Sequence, residues 1–316
     1  MNIDTEAEHG KTGNKKEVNK IQLSRNIFMF AFLIFPVLNF LVFYLYVNLD
    51  SFLMAFQRPK YDGTANAVRF SLENFQTIIN NFSLAGGKVM LEALKNTLMY
   101  YFSGMLIGLP ISVLMCYFIY KKIACYKAFR IIIYLPNILS ATALAVLFRY
   151  AVGTGGPVHA IIKASGGEFV YPFTDASSAN GMLLFYALSF GFGGSLIIIG
   201  GAMNSLDPEM LEAAEIDGCN WIKELYYIIV PSVWPTVATI VVLSTASFLG
   251  ATGPVLLFTK GSFGTMTLSY YIYALVSGIG GNQDLFLASA IGFLMTVVSF
   301  PIALTVKKFI YGKEDY

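Results

Sequence analysis

The residues that could carry acid–base chemistry are concentrated in one polar stretch, residues 204–232. Glu212 and Glu215 stand three positions apart, which places both carboxylates near one face of a helix. Acid–base or metal-assisted catalysis would also need a nucleophile or further ligands within reach. The chain has only two histidines, His9 and His159, and three scattered cysteines, so neither a metal site nor a disulfide is expected. We therefore interpret the stretch as a binding or mechanical element and not as a catalytic site.

The composition places the chain in a membrane. Of its 316 residues, 56% are hydrophobic and 13% are charged. A soluble domain carries about 25% charged residues. The mean hydropathy of +0.63 agrees with a membrane protein. The formal net charge is only +2 and no basic block follows the N-terminal tail, so nucleic acid is not an expected partner.

Six apolar runs are long enough to form membrane-spanning helices, which need roughly 20 residues to cross a hydrocarbon layer of about 30 Å. The runs are Asn26–Val47, Asn96–Tyr120, Phe129–Tyr150, Asn180–Met203, Val233–Phe258 and Leu285–Val306. The first run has no cleavage site behind it, so we interpret it as an uncleaved span. The predicted fold class is all-α, a polytopic membrane protein with about six transmembrane helices.

The distribution of Lys and Arg predicts the orientation, because both residues are enriched in cytoplasmic loops. With the N-terminus inside, the majority of the 21 Lys and Arg residues lie on the cytoplasmic side. The short basic loop 121–127 is the strongest single indication. Both termini and the stretch 204–232 are then expected to be cytoplasmic. The expected outer loops are 48–95, 151–178 and 259–284.

The stretch 204–232 has the signals of two short helices joined by a turn. Ser205 or Asp207 can cap the first helix, and Pro208 suits its first turn. Gly218 ends it, and Asp217 before that glycine can hydrogen-bond local amides. A second short helix is expected over 219–229, before the fifth span. The alternative is an amphipathic helix that merely lies at the membrane surface.

The spacing of seven residues in this loop resembles the EAA motif of binding-protein-dependent ABC importer permeases. The residues are Glu212, Ala213, Ala214, Gly218, Ile228, Val230 and Pro231, with every gap of the motif preserved. Asp217 is similar to the residue usual in the carbohydrate-importer branch, whereas Cys219 replaces the usual alanine. Weaker similarity, including Asn96-Thr97-Leu98 and the stretch from Arg130 to Pro136, extends over roughly residues 30–310.

The resemblance implies a type I ABC importer permease fold and a set of partners, and residues 204–232 are here called the coupling loop after the role that it implies. Glu212, Ala213, Ala214, Asp217 and Gly218 would belong to a coupling helix that docks on a cytoplasmic ATPase, with Ile228 and Pro231 completing the motif. The expected partners are a second permease subunit, two ATPase subunits, an extracytoplasmic solute-binding protein and membrane lipid. This sequence has no phosphate-binding loop, so ATP with Mg would be bound by the ATPase subunits and no cofactor by this chain.

The apolar runs together with the resemblance predict a domain order in a bacterial cell membrane. A disordered cytoplasmic tail would occupy residues 1–25, and the first helix with its outer loop residues 26–95. The permease core would occupy residues 96–310 and a second cytoplasmic tail residues 311–316. The implied function is transport of a solute, with a sugar or oligosaccharide as the expected substrate.

Polar and aromatic residues inside the spans are candidates for a sugar path. They are Asn137, Ser140, Tyr186, Ser189, Ser244 and Ser247. The alternative for each is hydrogen bonding or packing between helices. A secondary transporter or channel that works without an ATPase remains an alternative function, although it would need intramembrane acidic residues for ion coupling, and none lies well inside the six runs. A membrane-embedded enzyme would need a polar catalytic cluster that these residues do not form.

Overall fold

The computed structural model describes residues 22, 24–59, 68–82, 88–191, 193–279, 281 and 283–312. The chain divides into two compact units, Met1–Phe70 and Ser71–Tyr316. The predicted tails 1–25 and 311–316 lie almost entirely outside the described residues.

The first unit contains one long helix and a small hairpin. Helix α1, Ser24–Ala55, is apolar along its length and includes a π-helical turn, Phe40–Tyr46. Its large apolar side chains are exposed, as is usual for a helix surface covered by lipid or by another membrane helix. Strands β1, Gln57–Pro59, and β2, Val68–Phe70, pair antiparallel with Arg58 opposite Arg69. The outer loop predicted to begin at residue 48 therefore begins after Ala55, and it contains the strands β1 and β2.

The second unit is helical. Its first helices are α2 Glu73–Phe82, α3 Val89–Tyr120, α4 Tyr126–Ile138, α5 Ala141–Val152 and α6 Pro157–Ala164. The next are α7 Ala176–Phe190, α8 Gly193–Asn204, α9 Pro208–Ile216 and α10 Trp221–Ala246. The last are α11 Val255–Phe258, α12 Leu268–Ser277 and α13 Leu285–Tyr311. Side chains of Asp175, Thr267 and Asp284 accept hydrogen bonds at the starts of three of these helices, which satisfies otherwise free amides.

The prediction of about six spans is confirmed if one sharply bent pair of helices counts as a single span. Five helices of the described chain are long and apolar enough to cross a membrane, namely α1, α3, the α7–α8 run, α10 and α13. The sixth is the pair Tyr126–Ile138 and Ala141–Ala164, bent by 110°.

A single straight helix over 129–150 is therefore a wrong prediction. Pro136 lies in the last turn of α4, and Leu139 is extended, with φ −77° and ψ 148°. The hydroxyl of Ser140 then accepts a hydrogen bond of 3.1 Å from the Ala143 N–H and starts α5 as a new helix. Hydropathy alone cannot detect this break, because apolar residues stand on both sides of it.

The fifth span also differs from its predicted bounds. Helix α10 runs without a break from Trp221 in the coupling loop to Ala246, so the second short helix predicted over 219–229 is not separate. A π-helical turn, Leu225–Ile229, lies directly before Pro231, which lacks a backbone N–H. This local change in hydrogen-bond register allows the helix to continue past the proline. The helix stops short of the predicted residue 258, because the glycine- and proline-containing stretch 250–254 follows.

Two apolar clusters hold the second unit together. One is aromatic and centres on Tyr186, whose ring lies 5.0 Å from Phe148 and 4.8 Å from Phe258 between centroids. The other is largely aliphatic and joins α3, α8, α9 and α10 through residues such as Leu211 and Ile229. The aliphatic cluster fixes the coupling loop to the membrane-spanning helices.

Candidate functional site: the coupling loop and a serine-lined cavity

Helix α9 forms the first half of the coupling loop, and its two ends are well defined. The carboxylate of Asp207 accepts a hydrogen bond of 3.0 Å from the Glu209 N–H, and Pro208 follows as the first helical residue. At the other end the Gly218 N–H donates to the Glu215 carbonyl and the Cys219 N–H to the Ala214 carbonyl. This pair of bonds is a Schellman motif, with Gly218 left-handed at φ +73°. The turn predicted at Gly218 is present.

The exposed side of α9 carries fewer of the motif residues than the sequence suggests. Glu212 and Ala213 are exposed, and Ile216 is 86% exposed. Leu211 and Ala214 are buried against the aliphatic cluster. Of the two motif alanines, only Ala213 is therefore on the exposed side of α9, because neighbouring residues on a helix point about 100° apart.

The other motif residues serve the loop differently. Asp217 donates its backbone N–H to the Ala213 carbonyl, but the predicted side-chain hydrogen bond is not found in the part of the chain that the structure describes. Ile228 is half-buried on the aliphatic cluster, while Pro231 is exposed on α10. Ile228 and Pro231 therefore belong to the fifth span and lie on a different helix from the exposed face of α9.

A lysine at the end of α3 connects both halves of the coupling loop. The Lys121 Nζ lies 2.8 Å from Glu215 Oε1 on α9 and 3.1 Å from Glu224 Oε2 on α10. Only 3% of the Glu224 side chain is exposed. Because of the hydrogen bonds to Glu215 and Glu224, which outweigh the effect of burial, the pKa of Lys121 lies above its usual value. The same bond from Lys121 lowers the pKa of Glu215.

These three residues are here called the Lys121 triad, and within it Lys121 and Glu215 stay charged throughout the neutral pH range. Glu215, with a lowered folded pKa, contributes stability above the ordinary value of 4.5 and loses it as pH falls through the lowered value. Lys121, with a raised folded pKa, contributes stability below 10.5 and loses it as pH rises through the raised value. Sequence reasoning used Lys121 only for orientation and missed Glu224. An acidic residue just ahead of an apolar span was the available signal.

A cavity of about 460 Å³ lies among α3, α7, α8, α10 and the stretch after α10. Ser244 and Ser247, two of the candidate path residues, line it, and Tyr101 also lines it. The Tyr101 hydroxyl also hydrogen-bonds the Thr245 hydroxyl at 2.8 Å. Tyr100 also lines the cavity, and its buried hydroxyl has no hydrogen-bond partner among the described residues.

The other four candidate path residues do not line this cavity. A Cβ built on Gly193 would lie 1.7 Å from the Asn137 amide, so Asn137 packs α4 against α8. Ser140 caps α5, Tyr186 lies in the aromatic cluster, and Ser189 is half-buried on α7. For Asn137, Ser140 and Tyr186 the structure shows the packing and capping contacts that were the alternative to a path role.

Residues 104–309 match the model of one protein family, described as the binding-protein-dependent transport system inner membrane component. The chain belongs to this family. It is a transmembrane permease subunit of an ABC importer, as the EAA spacing predicted, and a multi-pass membrane protein. The description of the family states that the transport depends on a binding protein, which is therefore a partner of such permeases.

Curated relatives of this permease are subunits of sugar transporters. The lactose transport system permease protein LacF of Rhizobium radiobacter is 28% identical over 257 residues, covering 78% of each chain. The arabinooligosaccharides transport system permease protein AraP of Bacillus subtilis is 24% identical over 272 residues, covering 85% of this chain and 83% of that protein.

A solved structure shares the fold of this permease. A chain of a bacterial ABC transporter involved in the import of the acidic polysaccharide alginate aligns with a TM-score of 0.78 at 24% identity. The alignment covers 93% of this chain and 98% of that one. At this identity the likeness shows the fold alone.

Proposed function

We propose that this permease subunit imports a sugar or oligosaccharide and is driven by ATPase subunits that dock on α9. The observation that carries the proposal is the geometry of α9. Its inner face is anchored by Leu211 and Ala214, while Glu212, Ala213 and Ile216 remain exposed around a fixed turn at Gly218. An exposed apolar side chain next to a carboxylate, on a helix tied to the membrane core, suits contact with another protein.

The substrate class rests on the relatives and on the cavity. Two relatives are named as permease proteins of transport systems for lactose and for arabinooligosaccharides. The cavity brings serine and tyrosine hydroxyls to one space of about 460 Å³, within the range of about 300–1,000 Å³ usual for ligand sites. Hydroxyl groups can donate and accept hydrogen bonds, as sugar hydroxyls do.

The proposal also includes the other subunits of an ATP-driven importer. A second permease subunit would complete the path beside this chain, and two cytoplasmic ATPase subunits would bind ATP with Mg and close on α9. This chain would bind neither and would carry no enzymatic activity of its own. It would lie in a bacterial cell membrane with both termini in the cytoplasm, the side on which ATP is available to the ATPase subunits.

The test is uptake by vesicles that contain the permease pair and the solute-binding protein, with and without the ATPase subunits. Uptake of labelled lactose or arabino-oligosaccharide is expected only when the ATPase subunits, ATP and Mg are present. A catalytically dead ATPase is the matched control. Uptake that persists without ATP hydrolysis would overturn the ATPase coupling. Transport of a non-sugar solute in preference to these would overturn the substrate class.

A further inference from the structure

The Lys121 triad joins three helices at one point on the cytoplasmic side of the second unit. Lys121 is the residue that directly follows the last turn of α3, and its ammonium contacts one carboxylate on α9 and one on α10. The two carboxylates are not equivalent. Glu215 is mainly exposed and Glu224 is almost completely buried, so the lysine bridges the surface and the interior of the loop.

The burial of Glu224 makes the lysine necessary. A buried carboxylate without a cation is strongly unfavourable, because the protein interior solvates charge poorly. Among the described residues, Lys121 is the cation within ion-pair distance of Glu224, and the second carboxylate oxygen, Oε1, has no hydrogen-bond partner. A second contact supports the same junction, because the Tyr117 hydroxyl on α3 donates to the Trp221 carbonyl on α10 at 3.4 Å.

The two carboxylates also lie on opposite sides of the Gly218 turn. Glu215 precedes the turn and Glu224 follows it, on α10. Glycine is the most flexible backbone position, so a force on α9 could be lost by bending at Gly218. Lys121 connects the residues on both sides of this turn to α3. The three helices α3, α9 and α10 are therefore held together around Gly218.

We propose that Lys121 is a positioning residue that makes α3, α9 and α10 move as one body when α9 is displaced. The inference rests on the proposed docking of the ATPase on α9 and adds the connection that passes its movement to the second and fifth spans. Exposed ion pairs contribute little to stability, whereas a pair with one buried partner holds its geometry firmly. The ion pair with the buried Glu224 therefore fixes the position of Lys121, and the ion pair with the exposed Glu215 holds α9 to the lysine.

The experiment compares ATP hydrolysis and uptake in the reconstituted transporter with its permease pair, ATPase subunits and solute-binding protein. Lys121→Met is expected to retain ATP hydrolysis and to lower the number of solutes imported per ATP by about tenfold. Lys121→Arg is expected to recover most of the ratio, because its guanidinium can reach two carboxylates. Lys127→Met, which changes an exposed lysine on α4 outside the Lys121 triad, is the matched control and should leave the ratio unchanged.

The number of solutes imported per ATP distinguishes a positioning role of Lys121 from a purely structural role. If Lys121→Met lowers hydrolysis and uptake in equal proportion, Lys121 only stabilises the fold and the proposal is overturned. If the single variant does not assemble, Lys121→Met combined with Glu224→Leu removes the buried charge and restores assembly. An unchanged ratio in that double variant would also overturn the proposal. Wild-type transporter that imports without its ATPase subunits would instead overturn the proposed function itself.

Discussion

The requirement for glycine at position 218 comes from its backbone conformation and not from a lack of space around it. Its φ of +73° lies in the left-handed region, and a Cβ added there would meet no atom within 4 Å. A left-handed conformation costs an ordinary residue about 1–2 kcal/mol, whereas glycine adopts it freely. Within this chain, the size of a substituent matters less than its ability to take a positive φ.

Two substitutions at Gly218 separate these effects. Gly218→Val is expected to lower ATP-driven uptake strongly, because a β-branched residue resists the left-handed conformation that ends α9. Gly218→Asn is expected to keep most of the uptake, since asparagine tolerates that conformation. Uptake in reconstituted vesicles checks the prediction, with the amount of inserted protein measured in parallel. Equal uptake by the two variants would show that the turn is not needed for coupling.

At the scale of elements, the break between α4 and α5 is built from two residues. Pro136 weakens the last turn of α4, and Ser140 caps α5 through its 3.1 Å hydrogen bond to the Ala143 N–H. Ser140 was a candidate path residue, but its hydroxyl is engaged by the backbone. Its role in the structure is therefore to start a helix that leaves α4 at 110°.

Ser140→Ala is expected to lower the free energy of unfolding by about 1 kcal/mol, the usual cost of losing an N-cap. Ser140→Asn should restore most of that loss, because its side-chain oxygen can accept the same hydrogen bond. Thermal unfolding of the purified protein in detergent measures both. A path role would show a different pattern, in which Ser140→Ala keeps full stability and lowers sugar uptake.

Helix α10 shows a second effect at this scale. Because it is continuous from Trp221 to Ala246, the second half of the coupling loop is the beginning of the fifth span. A displacement of the loop at Glu224 is thus a displacement of the span itself. Helix α9 has no such continuity, since Gly218 separates it from α10, and the Lys121 triad supplies the connection.

For the whole molecule, the three native cysteines test the orientation. Cys125 is exposed in the short loop between α3 and α4, and Cys219 is half-buried in the coupling loop. Both are expected on the cytoplasmic side. Cys116 is buried within α3 and serves as an internal control.

A membrane-impermeant maleimide is therefore expected to label the protein in inside-out vesicles and not in right-side-out vesicles. Cys125→Ser combined with Cys219→Ser should abolish the labelling, because the thiol of Cys116 is 3% exposed. Mass measurement of the modified protein gives the number of labelled thiols. Labelling of the intact protein from the outer side would reverse the predicted orientation.

Composition and residue spacing are enough to establish the membrane class, the approximate number of spans and the family. Apolar runs of about 20 residues report spanning helices directly, since every backbone polar group in lipid must be bonded within the helix. The gaps from Glu212 to Pro231 identified the coupling loop, and Asp207, Pro208 and Gly218 marked both ends of α9. These signals are local, so a single chain read in order contains them.

Which of those residues contact one another follows from the three-dimensional packing of the helices. Ala214 points inward, Asn137 packs against Gly193, and Lys121 reaches Glu215 and Glu224 on two other helices. The six candidate path residues separated into two that line a cavity and four that do not. Contacts between residues far apart in sequence depend on how helices rotate and cross, and hydropathy does not specify either quantity.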